Sequence, residues 1–438
     1  RNHYEICHRD NFEILLRMAR KARQPQFKAL GIEYLPLFIA SFQGLTKTGE
    51  DISALQDVLD QLFGYPAPAG AWEEFILPAR LNPYYPAWLD SLMQSSELIW
   101  FGCGTKKTGF AFIEDLELFK KNDIKANDET DNESSEANKI YSVISESKGK
   151  YTFFDIIQQT GLNSEVVTKK LWEAAWQGRI TNDSFAVLRK AILNRFRPFK
   201  IEERTPRRSN LSRWSSSRPI HGNWFELVSY GGEMDAFQNE ELVRDRIRQL
   251  LGRYGVLFRE LLEREQSLLR WANIFRSLRI MELSGELITG HFFQGIPGLQ
   301  FMSHEGFRFL TNSIDENAVY WLNATDPASI CGIRLEELKS ALPSRVPSTT
   351  LVYRGTTLVL VSRRNGKTLE INASLNDNRL YEYLSFFRIL LNREFNPMKA
   401  VFVETINGEH AAKSEYSKAF KEFGFFVNYN GLELRKSY

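Results

Sequence analysis

The chain has 438 residues and a mass of 50.8 kDa, so two to four domains are expected, since one domain typically holds about 100–200 residues. Its 43% hydrophobic and 25% charged residues are ordinary for a globular protein, and 56 Lys and Arg against 54 Asp and Glu leave no overall charge excess. The longest apolar runs, such as residues 34–40, are far below the ~18 residues that cross a bilayer, so no membrane partner is expected.

Three cysteines, Cys7, Cys103 and Cys331, are far apart and odd in number. This pattern argues against a disulfide framework and indicates a reducing compartment. The chain begins with Arg1 and no signal-peptide pattern follows, so we expect a fragment of a longer protein.

The first three quarters of the chain repeat one succession: helical stretches, a small or polar turn, and a short β-branched or aromatic run. It occurs at residues 86–100, 166–181 and 267–288. Helices followed by a β-hairpin wing are typical of a winged helix, whose last helix can enter a groove of DNA. We therefore predict winged-helix domains over residues 1–121, 139–194 and 219–317. Winged helices also bind proteins, so the fold alone leaves both functions open.

An acidic segment separates the first two predicted domains. Residues 122–136 contain six acidic residues and a single base, Lys125, with almost nothing apolar to bury. This composition predicts a disordered linker over residues 122–138.

A basic segment separates the second and third predicted domains. Residues 195–218 contain eight basic and two acidic residues, with aromatic residues among them. Such a segment can neutralise phosphates and stack on an exposed base, so Arg207, Arg208 and Arg213 are candidate nucleic-acid contacts. The alternative is a solvated basic linker, over residues 195–218, that binds nothing.

The helix predicted over residues 267–283 is the most informative of the three. At ~100° per residue, its apolar side chains fall on one face, with Asn273, Arg276 and Ser277 opposite. Arginine and asparagine pair with phosphates and base edges, so Arg270, Asn273 and Arg276 are candidate DNA contacts. A merely solvated polar face is the alternative.

The wing predicted over residues 286–301 carries His291, Gln294 and Gln300 as polar tips. We select His291 and Gln294 as further candidate DNA contacts. Of the neighbouring pair Phe292 and Phe293, one ring is expected to pack inward, which leaves only the other to stack on a base.

Beyond residue 318 the pattern changes to short strand-like runs, with hairpin-turn chemistry at residues 364–366. The predicted elements are strands over residues 350–353, 357–362 and 368–372, a helix over 379–392, a strand over 400–405, a helix over 414–422 and a hairpin over 425–434.

Motifs for established chemistry are absent from the sequence. Residues 102–108 resemble a phosphate loop, but the fifth position after Gly102 is Lys107 rather than glycine, so no ATPase motor motif is visible. No CxxC pair, GxSxG elbow or HExxH helix occurs, and we predict neither a metal nor a cofactor. Any enzymatic chemistry would rest on carboxylates.

Several runs nevertheless occur in a specific order along nearly the whole chain. They are FILPAR at 75–80, ELIWFGCG at 97–104, TNDSF at 181–185, RYGV at 253–256, FFQGIPGLQF at 292–301 and ATDPA at 324–328. Together they resemble the C-terminal module of the bacterial large helicase-related (Lhr) proteins, superfamily 2 helicases of DNA repair. The arrangement is also similar to winged-helix DNA glycosylases of the AlkZ/YcaQ type.

The resemblance implies an α+β fold: tandem winged-helix domains followed by a β-barrel-like α/β domain over residues 318–438. It also implies a homo-oligomer and, in some members, uracil-DNA glycosylase activity through an aspartate very near the C-terminus. No aspartate follows Asp377 here, and Glu433 is the nearby carboxylate. Asp326 is the other catalytic candidate, although an aspartate before proline in a turn is more often structural.

The leading hypothesis is a DNA-binding C-terminal module of an Lhr-type helicase in the bacterial cytoplasm, associated with the nucleoid. Its expected partners are single-stranded or lesion-containing DNA, the helicase core of the same polypeptide and further copies of itself. One alternative is a glycosylase that hydrolyses uracil or a damaged base through Glu433 or Asp326; another is an oligomerisation scaffold. The leading hypothesis requires the basic segment and the third helix to converge on one groove.

Overall fold

The computed structural model describes residues 27–120, 135–146, 149–198, 222–227, 234–339 and 341–436. It also describes residues 7–8, 11–12, 14–15 and 18–19. Along these residues, three small helical units with short sheets precede a unit with longer strands. No helix in this described part is both long and apolar enough to span a membrane.

The first unit has the element order of a winged helix: α1 (Tyr34–Phe42), α2 (Ile52–Leu62), β1 (Ala67–Pro68), α3 (Leu77–Arg80), α4 (Pro86–Ser95), β2 (Leu98–Gly102), β3 (Lys107–Phe112) and α5 (Leu116–Phe119). The strands pair antiparallel in the order β1–β3–β2. Helix α2 begins where the Asp51 side chain accepts from the N–H of Ala54 at 2.8 Å. A π-helical turn, Trp72–Ile76, runs directly into α3, and the sequence did not predict this segment.

The second unit comes from described residues on both sides of the basic segment. It contains α6 (Ser135–Glu146), α7 (Phe153–Thr160), α8 (Ser164–Trp176), β4 (Ile180–Asn182), α9 (Phe185–Leu193) and β5 (Trp224–Glu226). Strand β5 pairs antiparallel with β4, and Trp224 also bridges Tyr151. Although the sequence placed the next domain from residue 219, β5 therefore lies with the second unit. The described residues on both sides of the basic segment therefore belong to the second unit.

The third unit is again a winged helix, with α10 (Ala236–Tyr254), β6 (Val256–Leu257), α11 (Trp271–Ser284), β7 (Leu287–Gly290), β8 (Gln300–Ser303) and α12 (His304–Asn312). Its strands pair antiparallel in the order β6–β8–β7. The helix predicted from residue 267 is a 3-10 turn, Ser267–Leu269, followed by α11.

The last unit contains β9 (Val319–Asn323), α13 (Glu336–Lys339), β10 (Thr350–Arg354), β11 (Thr357–Arg363), β12 (Thr368–Ile371), α14 (Leu380–Asn392), β13 (Ala400–Val403), β14 (Thr405–Ile406), β15 (Glu409–His410), α15 (Ser417–Phe423), β16 (Phe426–Asn428) and β17 (Gly431–Arg435). Six strands form one sheet, in the order β15–β14–β12–β11–β10–β9, and three form another, in the order β13–β17–β16. The chain changes sheet between Val403 and Thr405.

The β-barrel expected for this unit is not confirmed. No closed barrel is seen among the described strands, which form two separate sheets. Helix α14 contacts β9 of one sheet and β13 of the other. Both sheets therefore contact α14. They are not hydrogen-bonded to each other edge to edge, which a closed barrel would require.

The wing of the first unit packs on the second unit. Trp100 in β2 stacks on Trp172 with ring centroids 6.2 Å apart, and the Thr181 hydroxyl donates to the Trp100 carbonyl. Gly102 lies so close to α8 that a Cβ would stand 1.9 Å from the Ala175 carbonyl oxygen. Only glycine allows this approach, so the first two units meet through backbone contact.

A second joint links the first unit to both the second and the last. Arg189 of α9 donates to Glu73 at 2.6 Å and to both carboxylate oxygens of Asp90 at 2.8 and 2.7 Å. Burial raises the pKa of Glu73, although the hydrogen bond and charge of Arg189 oppose the rise. Arg393, from the last unit, donates to the Glu74 carbonyl.

Candidate nucleic-acid interface

Two of the predicted contact residues hold the segment before α11. Arg270 occupies the N-cap position and donates from Nε to the Glu265 carbonyl at 3.2 Å. Asn273 donates from Nδ2 to the Ser267 carbonyl at 2.5 Å. Both residues are exposed. Because one is the N-cap and the other lies in the first turn, they are close together at the start of α11.

Arg276 lies one turn further along α11 and is also exposed, without a hydrogen bond or ion pair to any described residue. The polar face around it differs from the prediction. Ser277, expected to be solvated, is only 3% exposed, whereas Phe275, expected in the core, is 38% exposed. Compared with the prediction, α11 is rotated so that Ser277 faces the core and Phe275 faces outward. The exposed polar face centres on Asn273 and Arg276.

The wing of the third unit carries two candidate residues, His291 and Gln294, and Gln294 is hydrogen-bonded to the N-terminal part of the described chain. His291 is exposed. Gln294 donates from its backbone N–H to the Leu30 carbonyl at 2.8 Å and from Nε2 to the Ala29 carbonyl at 3.1 Å. The N-terminal part of the described chain therefore runs beside this wing and holds Gln294.

Gln300, expected at the wing tip, is fully buried instead. Its Oε1 accepts from the N–H groups of Phe292 and Phe293 at 3.0 and 2.9 Å, and its Nε2 donates to the Phe293 carbonyl at 2.7 Å. Both phenylalanine rings are 1% exposed. The expectation that one of them could stack on a base is wrong, because both pack inward.

Residues of the first three units line one cleft of about 530 Å³, which we call the junction cleft. Its walls come from the β2–β3 turn, the end of α8 and the segment before α11. Phe101 and Phe119 line it as buried, nearly parallel rings with centroids 6.1 Å apart. Ser267 lines the cleft and accepts from Asn273, so the start of α11 adjoins its edge.

The basic segment begins beside the same cleft. Arg195 and Phe196, directly after α9, have φ values of 55° and 56°, a left-handed conformation that is uncommon outside glycine. This turn sets Phe196 against Trp176, a residue lining the cleft, with ring centroids 5.1 Å apart. Lys106 places its Nζ 5.6 Å from the centroid of the Phe196 ring, within cation–π range.

Only the start of the basic segment is among the described residues. Arg207, Arg208 and Arg213 lie outside the described residues. Arg195 and Arg197, which flank Phe196, are both exposed. Convergence of the segment with α11 therefore stays a prediction.

The electrostatics of the cleft favour an anionic ligand. Lys120 lines the cleft, and exposed Lys106 and Arg270 lie close in sequence to the lining residues Thr105 and Leu268. The lining carboxylate of Glu173 is paired with Lys170 at 2.9 Å. Positive side chains therefore lie near the opening, and its acidic lining residue has a basic partner.

Cys103 also lines the cleft, but its surroundings make it a poor nucleophile. Burial raises the pKa of its thiol far above the ordinary value of 9.0, so the sulfur stays protonated. No cluster of three or more His, Cys, Asp or Glu that could hold a metal ion occurs among the described residues.

Asp326, one of the two catalytic candidates, lies in a fully buried ion pair. Nη1 and Nη2 of Arg80 donate to its two carboxylate oxygens, both at 2.8 Å, and the N–H of Ala328 donates to Oδ1 at 2.8 Å. Arg345 and Arg264 bind carbonyl groups of the same loop. The ATDPA run is therefore clamped by three arginines between units, and Asp326 does not line the junction cleft.

Glu433, the other candidate, lies in β17 and is 1% exposed. Its cross-strand neighbours Phe402 and Phe426, on the same sheet face, are 42% and 43% exposed. Asn428 donates to Oε2 at 2.6 Å and Arg435 donates to Oε1 at 2.5 Å. Glu433 is thus held by its own hairpin, beneath two aromatic side chains and away from the residues that line the cleft.

Sequence reasoning missed the walls of the cleft. It treated residues 102–108 only as a failed phosphate loop and placed Trp176 and Gln177 only as helix residues. The Gly-Cys-Gly run within the family resemblance was the available signal, because it marks the turn that approaches α8.

Comparisons with known proteins confirm the resemblance. Residues 33–114 and residues 236–321 each match a family model described as "Large helicase-related protein, winged-helix domain". The "Lhr helicase/ probable uracil glycosylase" of Mycolicibacterium smegmatis is 27% identical over 393 residues, covering 83% of this chain and 25% of that protein. The "Lhr helicase/uracil glycosylase" of Escherichia coli is 25% identical over 419 residues, covering 88% and 26%.

The chain spans about a quarter of the length of these curated relatives. Among solved structures, the DNA glycosylase AlkZ of Streptomyces sahachiroi is similar with a TM-score of 0.49 and 12% identity, over 81% of this chain and 93% of that chain. The chain is therefore related to the Lhr proteins and carries two winged-helix domains of the large helicase-related family.

Proposed function

We propose that the chain is a DNA-binding C-terminal module of an Lhr-type DNA repair helicase. It grips DNA with the start of α11 and with basic residues around the junction cleft. One observation supports the proposal: the start of the basic segment and the start of α11 each contact a residue that lines this cleft, through Phe196 on Trp176 and through Asn273 on Ser267.

The chemistry of the candidate residues supports distinct roles. Arg270 and Arg276 are exposed guanidinium groups suited to phosphate contacts. Asn273 has its amide nitrogen engaged, so it chiefly fixes the turn before α11. His291 reaches DNA from the wing, while Gln294, held by Ala29, positions that wing. Arg207, Arg208 and Arg213, which lie outside the described residues, are proposed as further phosphate contacts.

Further partners follow from the family relationship as proposals. The helicase core of the same polypeptide would supply the ATPase motor, which this chain does not show as a sequence motif. A homo-oligomer is proposed from the same resemblance, and light scattering of the purified chain tests it through the measured mass.

DNA binding is tested by fluorescence anisotropy with labelled single-stranded and duplex oligonucleotides. Arg270→Ala should weaken binding by about fivefold to tenfold, the loss of one charge-assisted phosphate contact. Lys418→Ala removes an 89% exposed charge from α15 and serves as the matched control. Equal affinities for the chain, Arg270→Ala and Lys418→Ala would contradict the proposal.

A second function, glycosylase activity, is favoured by the buried carboxylate of Glu433 and by the printed names of the two Lhr relatives. A glycosylase extrudes a base and stabilises an oxocarbenium-like sugar with a carboxylate while water attacks. Glu433, flanked by two exposed rings, is the stronger candidate. Asp326 is fully committed to Arg80 and is the weaker one.

The glycosylase is tested with duplexes that contain one uracil, scored as alkali-sensitive strand breaks. Glu433→Gln keeps the shape of the side chain and should abolish cleavage while DNA binding persists. Cleavage by the wild-type chain that survives in Glu433→Gln would exclude Glu433 as the catalytic group.

A further inference from the structure

The junction cleft combines an apolar floor with polar groups at its mouth. Phe101 and Phe119 are buried beneath it, while Thr105, Gln177 and Ser267 are exposed lining residues. Its volume of about 530 Å³ lies within the range of small-molecule sites, ~300–1,000 Å³. Such a site suits a planar ligand that is apolar on its faces and polar at its edge.

Trp176 supplies a rigid aromatic wall for this ligand. Its ring stacks on Trp172 with centroids 5.3 Å apart and is braced by Phe196. It is only partly buried and lines the cleft. Aromatic side chains held in this way serve as stacking platforms for nucleobases.

Two amide side chains, those of Gln177 and Gln266, line the cleft. Gln266 donates from Nε2 to the Gly64 carbonyl at 2.6 Å, and this bond orients its amide. The Gln177 amide has no hydrogen bond to a residue in the described part of the chain. A glutamine amide offers both donors and an acceptor, which match the hydrogen-bonding edge of a nucleobase.

The charges around the cleft match a nucleic-acid backbone. Lys120 lines the cleft, and Lys106 lies over the ring of Phe196, which packs on Trp176. Arg270 follows the lining segment 266–268 at the start of α11. A strand that crosses the opening would place its phosphates near these groups and its base over the aromatic floor.

We propose that the junction cleft receives one unstacked nucleobase, with Trp176 as the stacking wall and Gln177 and Gln266 at the base edge. This inference rests on the proposed DNA binding and adds the position of the base. It predicts that the chain distinguishes a displaced base from a displaced sugar that lacks one.

The test uses two duplexes that are identical except at one single-nucleotide bulge, which carries either thymine or an abasic residue. The wild-type chain should bind the thymine bulge at least about fivefold more tightly, the lower end of what stacking one base on an aromatic ring supplies. Trp176→Ala removes the wall, and Ser267→Trp fills the cleft from its rim. Both variants should bring the affinity ratio to about one while affinity for the abasic bulge persists.

Gln159→Ala is the matched control, because Gln159 is an exposed residue of α7 that does not line the cleft. It should retain the wild-type ratio. Equal wild-type affinity for both bulges, or an unchanged ratio in Ser267→Trp, would overturn the base site even though DNA binding stands. Absence of binding to either duplex would instead overturn the proposed function on which the inference rests.

Discussion

Arg80 and Asp326 form a bidentate ion pair with no solvent exposure, and they are 246 positions apart in the chain. Arg80 ends α3 of the first unit, and Asp326 follows β9 of the last. Gln43 adds a bond from Arg80 Nη2 to its own Oε1 at 2.8 Å. The pair fixes the first winged helix to the C-terminal unit.

Removal of one partner of this pair should destabilise the chain strongly. Asp326→Ala leaves the Arg80 guanidinium buried without its counter-ion, so we expect a loss of about 3–5 kcal/mol in the free energy of unfolding. Urea denaturation followed by circular dichroism measures it.

The matched control is Arg363→Ala, which breaks the exposed pair between Arg363 and Glu370 at 3.0 Å. Exposed pairs contribute less than about 1 kcal/mol, so the control should remain near wild type. A stable Asp326→Ala chain that has lost glycosylase activity would contradict the structural role and restore Asp326 as a catalytic candidate.

Two glycine substitutions should change stability in opposite directions. Gly102→Ala forces a Cβ against the Ala175 carbonyl oxygen, and such overpacking costs about 1–3 kcal/mol. Gly252→Ala lies within α10, where nothing stands within 4 Å of the added Cβ, and should stabilise by about 0.5–1 kcal/mol. Thermal unfolding of both variants compares them, and a neutral Gly102→Ala would refute the close contact between the first two units.

The stability contributed by Asp377 should depend on pH. The backbone N–H of Arg379 and the Tyr383 hydroxyl, both at 2.9 Å, lower the pKa of Asp377 below its ordinary value of 3.8. Because the unfolded state takes up the proton first, this contribution is present above about pH 4 and is lost as pH falls through the folded pKa.

Asp377→Asn should therefore be less stable than wild type at pH 7, and the difference should shrink as pH falls below about 4 and through the lowered pKa of the folded state. Urea midpoints measured at several pH values give the result. A difference that grows on acidification would have the wrong sign for a lowered pKa.

Phe196→Ala should weaken DNA binding without unfolding the chain. The ring anchors the start of the basic segment on Trp172 and Trp176, and an unanchored segment must be ordered on binding at about 1–2 kcal/mol per residue, roughly tenfold in affinity. Phe237→Ala, at a 77% exposed ring of α10, is the control and should bind as wild type. Unchanged affinity in Phe196→Ala would show that the anchor does not serve binding.

Local patterns predicted the elements well. The helix over residues 86–95, the strands predicted over 350–353 and 357–362 and the helix predicted over 379–392 appear where hydrophobic periodicity and turn residues placed them. The strand predicted over 400–405 is instead two strands, Ala400–Val403 and Thr405–Ile406, in different sheets. Hydrophobic periodicity and turn-forming residues are patterns within a few neighbouring residues, so they can be read directly from the sequence. The π-helical turn Trp72–Ile76 was not predicted, and its residues Glu73 and Glu74 contact Arg189 and Arg393, which are distant in sequence.

The candidate site was only partly predictable for the same reason. Asn273 and Arg276 were proposed as DNA contacts from one helix face, which is local information, and their role stays a prediction. The burial of Gln300 depends on the backbone of Phe292 and Phe293, and the cleft depends on three units meeting. Such contacts join residues far apart in sequence, and residue type alone cannot reveal them.

The most direct test of the DNA-binding account is the salt dependence of duplex affinity for the wild-type chain, Arg270→Ala/Arg276→Ala and Lys418→Ala. Each phosphate contact contributes about 0.9 to the slope of log K against log salt concentration. We predict that the double variant loses nearly two units of slope, while Lys418→Ala keeps the wild-type slope. Identical slopes for all three proteins would contradict the account.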